Sequence, residues 1–308
     1  MGENIFERND YYLNNMSYMF NHNYIKARKY IGICNNYNLG KIMLFGSKSL
    51  DLINHYSIKK FNEQNFKAGS TIIIKNKKLI SEVFVYKLSA LRYIIACENL
   101  SKIHNFFMKA KRKFPLTTIS DVTNKYCIFS FHGNEANNFF KEINYNHLFK
   151  INHQNYYYYN LIVNKKDEFI TLEQFKKNNF IPISIETKNI FLYNNNVLTH
   201  MEKIKKRLQK YVFNFVSNYQ NLNTLKNKHL KKDIYIRQFE LQENFLIFKG
   251  NYIYNSKGKK SGIIHCSYRI PNKRNPYIIC IMWKNRDEKI ATLRKGKKDI
   301  LLKQFQFY

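Results

Sequence analysis

Nine histidines, five cysteines and 21 acidic side chains are spread over 308 residues without falling into a spacing that names a reaction. No G-x-x-x-x-G-K-[ST] loop cradles phosphate and no G-x-G-x-x-G opens a dinucleotide site. Likewise no H-E-x-x-H places two histidines on one helical face, and no G-x-S-x-G raises a nucleophile. Cys34, Cys97, Cys127, Cys266 and Cys280 are odd in number and widely spaced, with no C-x-x-C pair. Neither a zinc ribbon nor a disulfide framework is expected, and buried reduced thiols in an intracellular compartment are the plain reading. His132 and His265 sit in or beside strand-like runs, where a hydrogen-bonded core histidine is commoner than a ligand. No metal site is expected.

One stretch concentrates groups that could hold a ligand. Tyr30 to Leu44 reads YIGICNNYNLGKIML, with Gly32 and Gly40 bracketing Asn35, Asn36, Tyr37 and Asn38. Glycine enters backbone conformations that other residues resist, and asparagine is the next most tolerant. After Gly40 the chain turns apolar through Ile42, Met43, Leu44 and Phe45. This predicts a tight polar loop feeding a buried strand. Polar groups on such a loop can line a site, and the bland alternative is a surface turn.

The elements that must carry this loop follow from periodicity. A helical lead-in is expected around Tyr24 to Arg28. Ser47 is placed to cap a short helix with Leu50 and Ile53 on one face. Thr71–Ile74, Leu79–Leu88 and Arg92–Cys97 read as strands, the second with Ser81, Val83 and Val85 alternating against Glu82, Phe84 and Tyr86. Asn99 to Lys113 is a helix with Ile103, Phe106, Phe107 and Ala110 inward and Pro115 beyond its end. Tyr126–Phe131 returns as strand and Asn134–Ile143 as helix. The tyrosine-rich segment Tyr145–Asn164 reads as a strand pair or an insertion.

Thr171 with Gln174, and Thr199 with Glu202, form capping boxes ahead of two more helices. From Asp233 onward short strands alternate with basic, glycine-bearing turns, the pattern of a small β-barrel or sandwich. The class is α+β. The length allows two or three subdomains. The boundaries are set at 1–217, with an approximate break near 145–170, a linker at 218–232 and a C-terminal barrel at 233–308.

The formal charge is +31. Such a field attracts RNA or acidic partners, while codon bias toward lysine, asparagine and isoleucine accounts for it equally simply. No apolar run approaches ~18 residues, so no transmembrane helix is expected. Glu3, Glu7 and Asp10 do not fit a secretory or transit peptide.

The order of motifs resembles the T-protein of the glycine cleavage system, a folate-dependent aminomethyltransferase, and its superfamily. The family's first loop, GLFDVSHMGKI, is matched by GICNNYNLGKI. Its V-S-G-x-D-A is matched by FGSKSLDL, and its G-x-I-L-D-D-x-x-V by KKLISEVFV. Its A-x-x-x-L-Q-G-P-x-A appears as CIFSFHGNEA, its R-L-E-A-G-x-x-L-Y-G-N as SIETKNIFLYNNN, and its R-R-K-x-x-x-A-x-V-x-K-x-P-F as RKGKKDILLKQFQF. The resemblance runs from about Tyr24 to Phe307. It implies a folate-binding fold of α/β subdomains around a central cavity, closed by a C-terminal β-barrel.

Activity is implied too: transfer of a one-carbon unit from an aminomethyl group on a lipoylated carrier protein to tetrahydrofolate, in a mitochondrion. Asn35 and Asn38 stand on the family's loop and Tyr193 in its L-Y pair. The family's folate-binding glutamate falls on Thr187, or on Glu186 with a one-residue slip. Arg207, in KIKKRL, matches the arginine that meets the folate carboxylates. The family's paired aspartates are Ser81 and Glu82, which leaves Glu82 as the catalytic carboxylate. The loop's aspartate, serine and histidine are Asn35, Tyr37 and Asn38, and R-T-G-Y-T-G-E-D-G has no counterpart. TKNIFLYNN followed by HMEKIKKRL is also similar to the iron–sulphur cluster assembly factors of this superfamily, with Ile190 in place of their cysteine. A non-transferase assembly role and a catalytically inert scaffold or RNA-associated protein are the alternatives.

Overall fold

A computed structural model of the chain describes residues 22–76, 78–141, 145–153, 156–194, 235–241, 251–255, 258–268, 270, 275–282, 290–295 and 298–304. These residues form two compact units. The first gathers those up to Asn36, those within Cys127–Asn195, and Ile270; the second gathers Tyr37–Tyr126 and the remaining described residues beyond Asn196. The chain therefore leaves the first unit between Asn36 and Tyr37 and returns to it between Tyr126 and Cys127. The sequence-derived boundaries at 217 and 233, and the linker between them, lie outside the described residues.

The first unit begins with helix α1 (22–29) and strand β1 (Gly32–Asn35). After the chain returns come β7 (Tyr126–His132), α4 (Ala136–Lys141), β8 (Leu148–His153), β9 (Tyr156–Asn164), α5 (Glu168–Lys177), β10 (Ile181–Pro182) and α6 (Ile185–Asn194). The tyrosine-rich segment is thus a strand pair. The sheet order is β10-β1-β7-β9-β8, with β1 parallel to β10 and antiparallel to β7. Ile33 faces Phe131 across β1 and β7. On that side Phe129, Phe131, Tyr159 and Leu161 pack with Ala136 and Phe140 of α4 and Phe175 of α5. Successive strand residues point to opposite faces, so the other face carries Gly32, Cys34, Ser130, His132, Tyr158 and Asn160.

The second unit holds β2 (Gly40–Phe45), α2 (Ser49–Tyr56), β3 (Ala68–Lys75), β4 (Lys78–Ser89), β5 (Arg92–Cys97), α3 (Leu100–Ala110) and β6 (Thr118–Asp121). Its sheet is antiparallel throughout, in the order β3-β4-β5-β2-β6. Ile42, Leu44, Val83, Val85, Tyr93 and Ile95 on one face bury Leu52 and Ile53 of α2 and Ile103 and Phe107 of α3. Asn99 caps α3, its side-chain oxygen accepting the Lys102 N–H at 3.2 Å.

The same unit contains a closed barrel of β11 (Tyr235–Leu241), β12 (Tyr252–Tyr254), β13 (Lys260–Tyr268), β14 (Tyr277–Met282), β15 (Ile290–Lys295) and β16 (Lys298–Gln304), in the order β11-β14-β13-β12-β15-β16. β11 pairs with β16 to close it. Phe239, Leu241, Ile253, Ile264, Ile278, Cys280 and Met282 form its core. The expected barrel is present, and closure leaves no free edge.

Two expected helix starts are corrected. Ser47 does not cap α2, whose N-cap residue is Lys48 with no side-chain capping bond. Thr171 and Gln174 do not open a helix either. They lie within α5, which starts at Glu168 behind Asp167. Acidic residues at the first turn favour that earlier start. The capping box of Thr199 and Glu202 lies outside the described residues.

Candidate functional site

The polar face of the first unit's sheet is covered in part by α6. Ser184 sets that helix going: its Oγ accepts the Thr187 N–H at 3.1 Å and lies 3.3 Å from Thr187 Oγ1. Thr187 and Phe191 are buried beneath the helix, whereas Glu186 is exposed. One residue further on, the Lys188 ammonium donates to Asn36 Oδ1 at 2.7 Å. The amide end of Asn36 donates to the Ile128 carbonyl at 3.2 Å, and the Asn36 backbone N–H meets the same carbonyl at 2.9 Å.

Cys34 lies beside this group, opposite Ser130 across the strand pair. Burial pushes its thiol up to about 11. The Lys188 ammonium pulls it back, Glu186 adds to the rise, and the Ser130 hydroxyl opposes it. At neutral pH Cys34 is therefore a protonated thiol and a poor nucleophile. Further along the same face His132 is fully buried, with Nδ1 2.8 Å from the Tyr156 hydroxyl. Its ring stacks on Tyr158 at 4.7 Å and on Phe191 at 5.8 Å. Burial, and then Tyr24, push the Tyr156 phenol up, so it stays neutral and available as a donor. The core histidine expected at His132 is found, hydrogen-bonded through Nδ1, while its Nε2 is buried with no hydrogen-bond partner among the described residues.

The residues singled out from the sequence are not all brought together. Asn35 shares the helix-packed face with Ile33, and its amide donates to Glu168 at the start of α5. Glu168 also pairs with Lys165. Asn36, Lys188 and Cys34 meet on the opposite face. The sequence reading passed over Asn36 and Lys188 as binding groups. A polar residue deep in an otherwise folded loop, opposite a lysine 152 positions away, leaves no local pattern to find. Tyr193 is half-buried on α6. Arg207 lies outside the described residues.

Glu82 and Asn38 belong to the second unit. Ser81 faces Ile73 across β3 and β4 and shares the helix-packed face with Val83 and Val85. Its hydroxyl donates to the Glu82 carbonyl at 3.1 Å. Glu82 points the other way, opposite Ile72, on the face that carries Phe84, Tyr86, Ala96 and Lys41. That face is also buried at Tyr86, Ile94, Ala96 and Lys41, with Glu82 half-buried among them. Asn38 Oδ1 is buried without a hydrogen-bond partner among the described residues. Nearby, the Thr123 hydroxyl and N–H, then His104 and Lys41, hold the Asp121 carboxyl below the usual carboxylate range. Burial, with Asp121 and Glu98 behind it, pushes the Cys97 thiol up to about 12. Among the described residues no three His, Cys, Asp or Glu side chains group as metal ligands.

Comparison with known structures places this arrangement. The crystal structure of glycine cleavage system aminomethyltransferase T from Bartonella henselae superposes with a TM-score of 0.67 at 9% identity, covering 92% of this chain and 88% of that one. Heterotetrameric sarcosine oxidase from Corynebacterium sp. U-96 in complex with pyrrole 2-carboxylate matches at a TM-score of 0.34 and 9% identity, over 50% of this chain and 86% of that one. No protein-family model matches the sequence, and no curated protein matches it. What is shared at such identity is the fold. The chain has the fold of the T-protein aminomethyltransferases in strongly diverged sequence, as the order of its motifs implied.

Proposed function

We propose that this protein binds a reduced folate in the manner of its fold and passes it a one-carbon unit from an aminomethyl-lipoyl carrier, with Glu82 as the working carboxylate. The observation that carries the proposal is the superposition on an aminomethyltransferase along nearly the whole of both chains. The residues present suit the ligand. Asn38 Oδ1 is a buried acceptor without a partner among the described residues, matched to an amino-bearing heterocycle. An orphaned buried acceptor costs roughly 1–3 kcal/mol, which a ligand N–H would recover. The net charge of +31 favours the carboxylates of a folate tail.

Tetrahydrofolate, when bound, supplies the nitrogen that accepts the one-carbon unit. The protein's part is positioning and the handling of one proton. Glu82, half-buried on a face that also carries Phe84 and Tyr86, would supply the carboxylate that takes that proton. A second reading is folate binding without transfer. It is favoured by the loop, which offers Asn35 and Asn38 where the family has an aspartate and a histidine.

The test is a titration of the full chain with tetrahydrofolate, followed by a transfer assay with a lipoylated carrier. Saturable binding, with turnover lowered about a hundredfold or more by Glu82→Gln while affinity is kept, is the expected result. Absence of saturation at near-millimolar ligand overturns both readings. Saturation without turnover leaves only the second.

A further inference from the structure

At one end of the second unit's sheet three chain segments meet and expose bulky apolar side chains. Phe45 ends β2, Leu91 sits in the turn between β4 and β5, and Leu116 precedes β6. Their exposures are 43%, 43% and 63%. The three are held side by side. The Gly46 N–H donates to the Leu91 carbonyl at 3.0 Å, and the Thr118 hydroxyl donates to the Phe45 carbonyl at 3.2 Å. Phe45 pairs with Arg92 on one side and with Thr118 on the other. Gly46, at φ +130°, lies so close to the Leu116 carbonyl that a Cβ would stand 2.0 Å from that oxygen. The turns are thus tied to one another.

The apolar tips have cations nearby, and the Glu63 carboxylate acts on Tyr93 beside the same turn. Arg92 lies over the Phe45 ring, 5.5 Å from its centre. Arg112 and Lys113, both exposed, precede Leu116 by a few residues. No acidic residue occurs between Glu98 and Asp121, a stretch that carries Lys102, Lys109, Lys111, Arg112 and Lys113. Protruding aliphatic side chains with Arg92, Arg112 and Lys113 on the adjoining stretches of chain suit a surface that is anionic at its rim and apolar just beneath. A nucleic acid offers the same charge, but its bases reward stacking aromatic groups, and two of the three tips here are leucines.

We propose that this sheet end, formed by Phe45, Leu91 and Leu116 with Arg92, Arg112 and Lys113, docks the protein on an anionic lipid bilayer. The leucines enter the headgroup boundary, and the guanidinium and ammonium groups meet lipid phosphates.

The experiment is co-sedimentation of the full chain with vesicles of phosphatidylcholine alone, or with about one-third phosphatidylserine, in about 0.15 M salt. Partition onto the anionic vesicles at least about tenfold above neutral ones is expected. Leu91→Ser combined with Leu116→Ser changes two exposed positions. It should leave thermal unfolding in place and lower partition by about tenfold. Arg92→Gln combined with Arg112→Gln should lower it by about thirtyfold. Equal binding to both vesicles overturns the proposal. So does anionic binding that survives the leucine replacements, which would mark diffuse charge attraction. Binding of single-stranded RNA with no vesicle partition overturns it as well.

Discussion

The Lys188 ammonium sits 2.7 Å from Asn36 Oδ1, and so fastens helix α6 to the last residue of the first unit before the chain departs. The other end of the same amide holds Ile128, the second residue after the chain returns. One side chain therefore joins the outgoing strand, the returning strand and a helix. Asn36→Ala should lower unfolding stability by about 1–2 kcal/mol, because the Lys188 ammonium loses a buried amide partner and the Ile128 carbonyl keeps only the backbone N–H of residue 36. Lys188→Met should cost about 1–2 kcal/mol, and the double variant less than the sum of the two. Urea unfolding of the four proteins measures this coupling. Strict additivity would show that the contact is idle.

The buried thiols give stability a defined dependence on alkali. Cys34 and Cys97 move from an ordinary 9.0 to about 11 and about 12 in the folded chain. Above pH 9 the folded chain keeps protons that the unfolded chain has lost. Their contribution is complete below about pH 9 and drains away as pH rises toward 11 and 12, by up to about 1.4 kcal/mol per pH unit per thiol. Unfolding midpoints of the parent and of Cys34→Ala between pH 8 and 10.5 test this, with the shallower fall expected in the variant. Disulfide reagents at pH 8 should label neither thiol before unfolding.

The neighbours Ser81 and Glu82 should respond in opposite ways to a change of charge. A carboxylate at Ser81 would stand on the face filled by Ile73, Val83 and Val85. Ser81→Asp should therefore cost about 3 kcal/mol or more, rather than restore chemistry to the strand. Glu82→Gln should leave the melting temperature within a few degrees while removing the proposed transfer. Calorimetry on both variants, alongside the transfer assay, distinguishes the two faces.

Gly46 and Gly133 occupy equivalent places in the two sheets. Each follows a strand that ends at or beside a phenylalanine and precedes a helix, with φ of +130° and +120°. A Cβ would stand 2.0 Å from the Leu116 oxygen in one case and 2.3 Å from the Ala27 and Tyr30 oxygens in the other. Alanine at either position should cost about 3 kcal/mol, through strain and backbone displacement together. Thermal melts of the two single variants decide it, and a loss below about 1 kcal/mol would mean the turns yield more easily than their geometry says.

Those glycines explain how much of the molecule could be read from its residues. In FGSKSLDL and CIFSFHGNEA backbone oxygens crowd the glycine and leave no room for another side chain, so each turn shows in the sequence as a glycine between a strand and a helix. Strand alternation placed Ser81 and Glu82 on opposite faces, and helical periodicity placed Ile103 and Phe107 inward, so those elements were plain. Helix α6 was not, because Ile185, Ile190, Phe191, Leu192 and Tyr193 do not fall on one stripe. β6 was missed because TISD is short and mostly exposed. The Asn36 and Lys188 contact is set by tertiary placement alone. For Asn35, loop position said nothing about which face its side chain would choose.

The early departure of the chain has a consequence for its biosynthesis. β1 ends at Asn35, yet it pairs through Cys34 with Ser130 and through Gly32 with Ile181. At about 5–20 residues per second, some 5–20 s pass between translation of β1 and of β7. During that interval Tyr37–Tyr126 can form its own antiparallel sheet, whose ladders are all internal to it. The order of assembly on the ribosome is thereby inverted. The segment in the middle can close first, while β1 waits for the strands that pair with it.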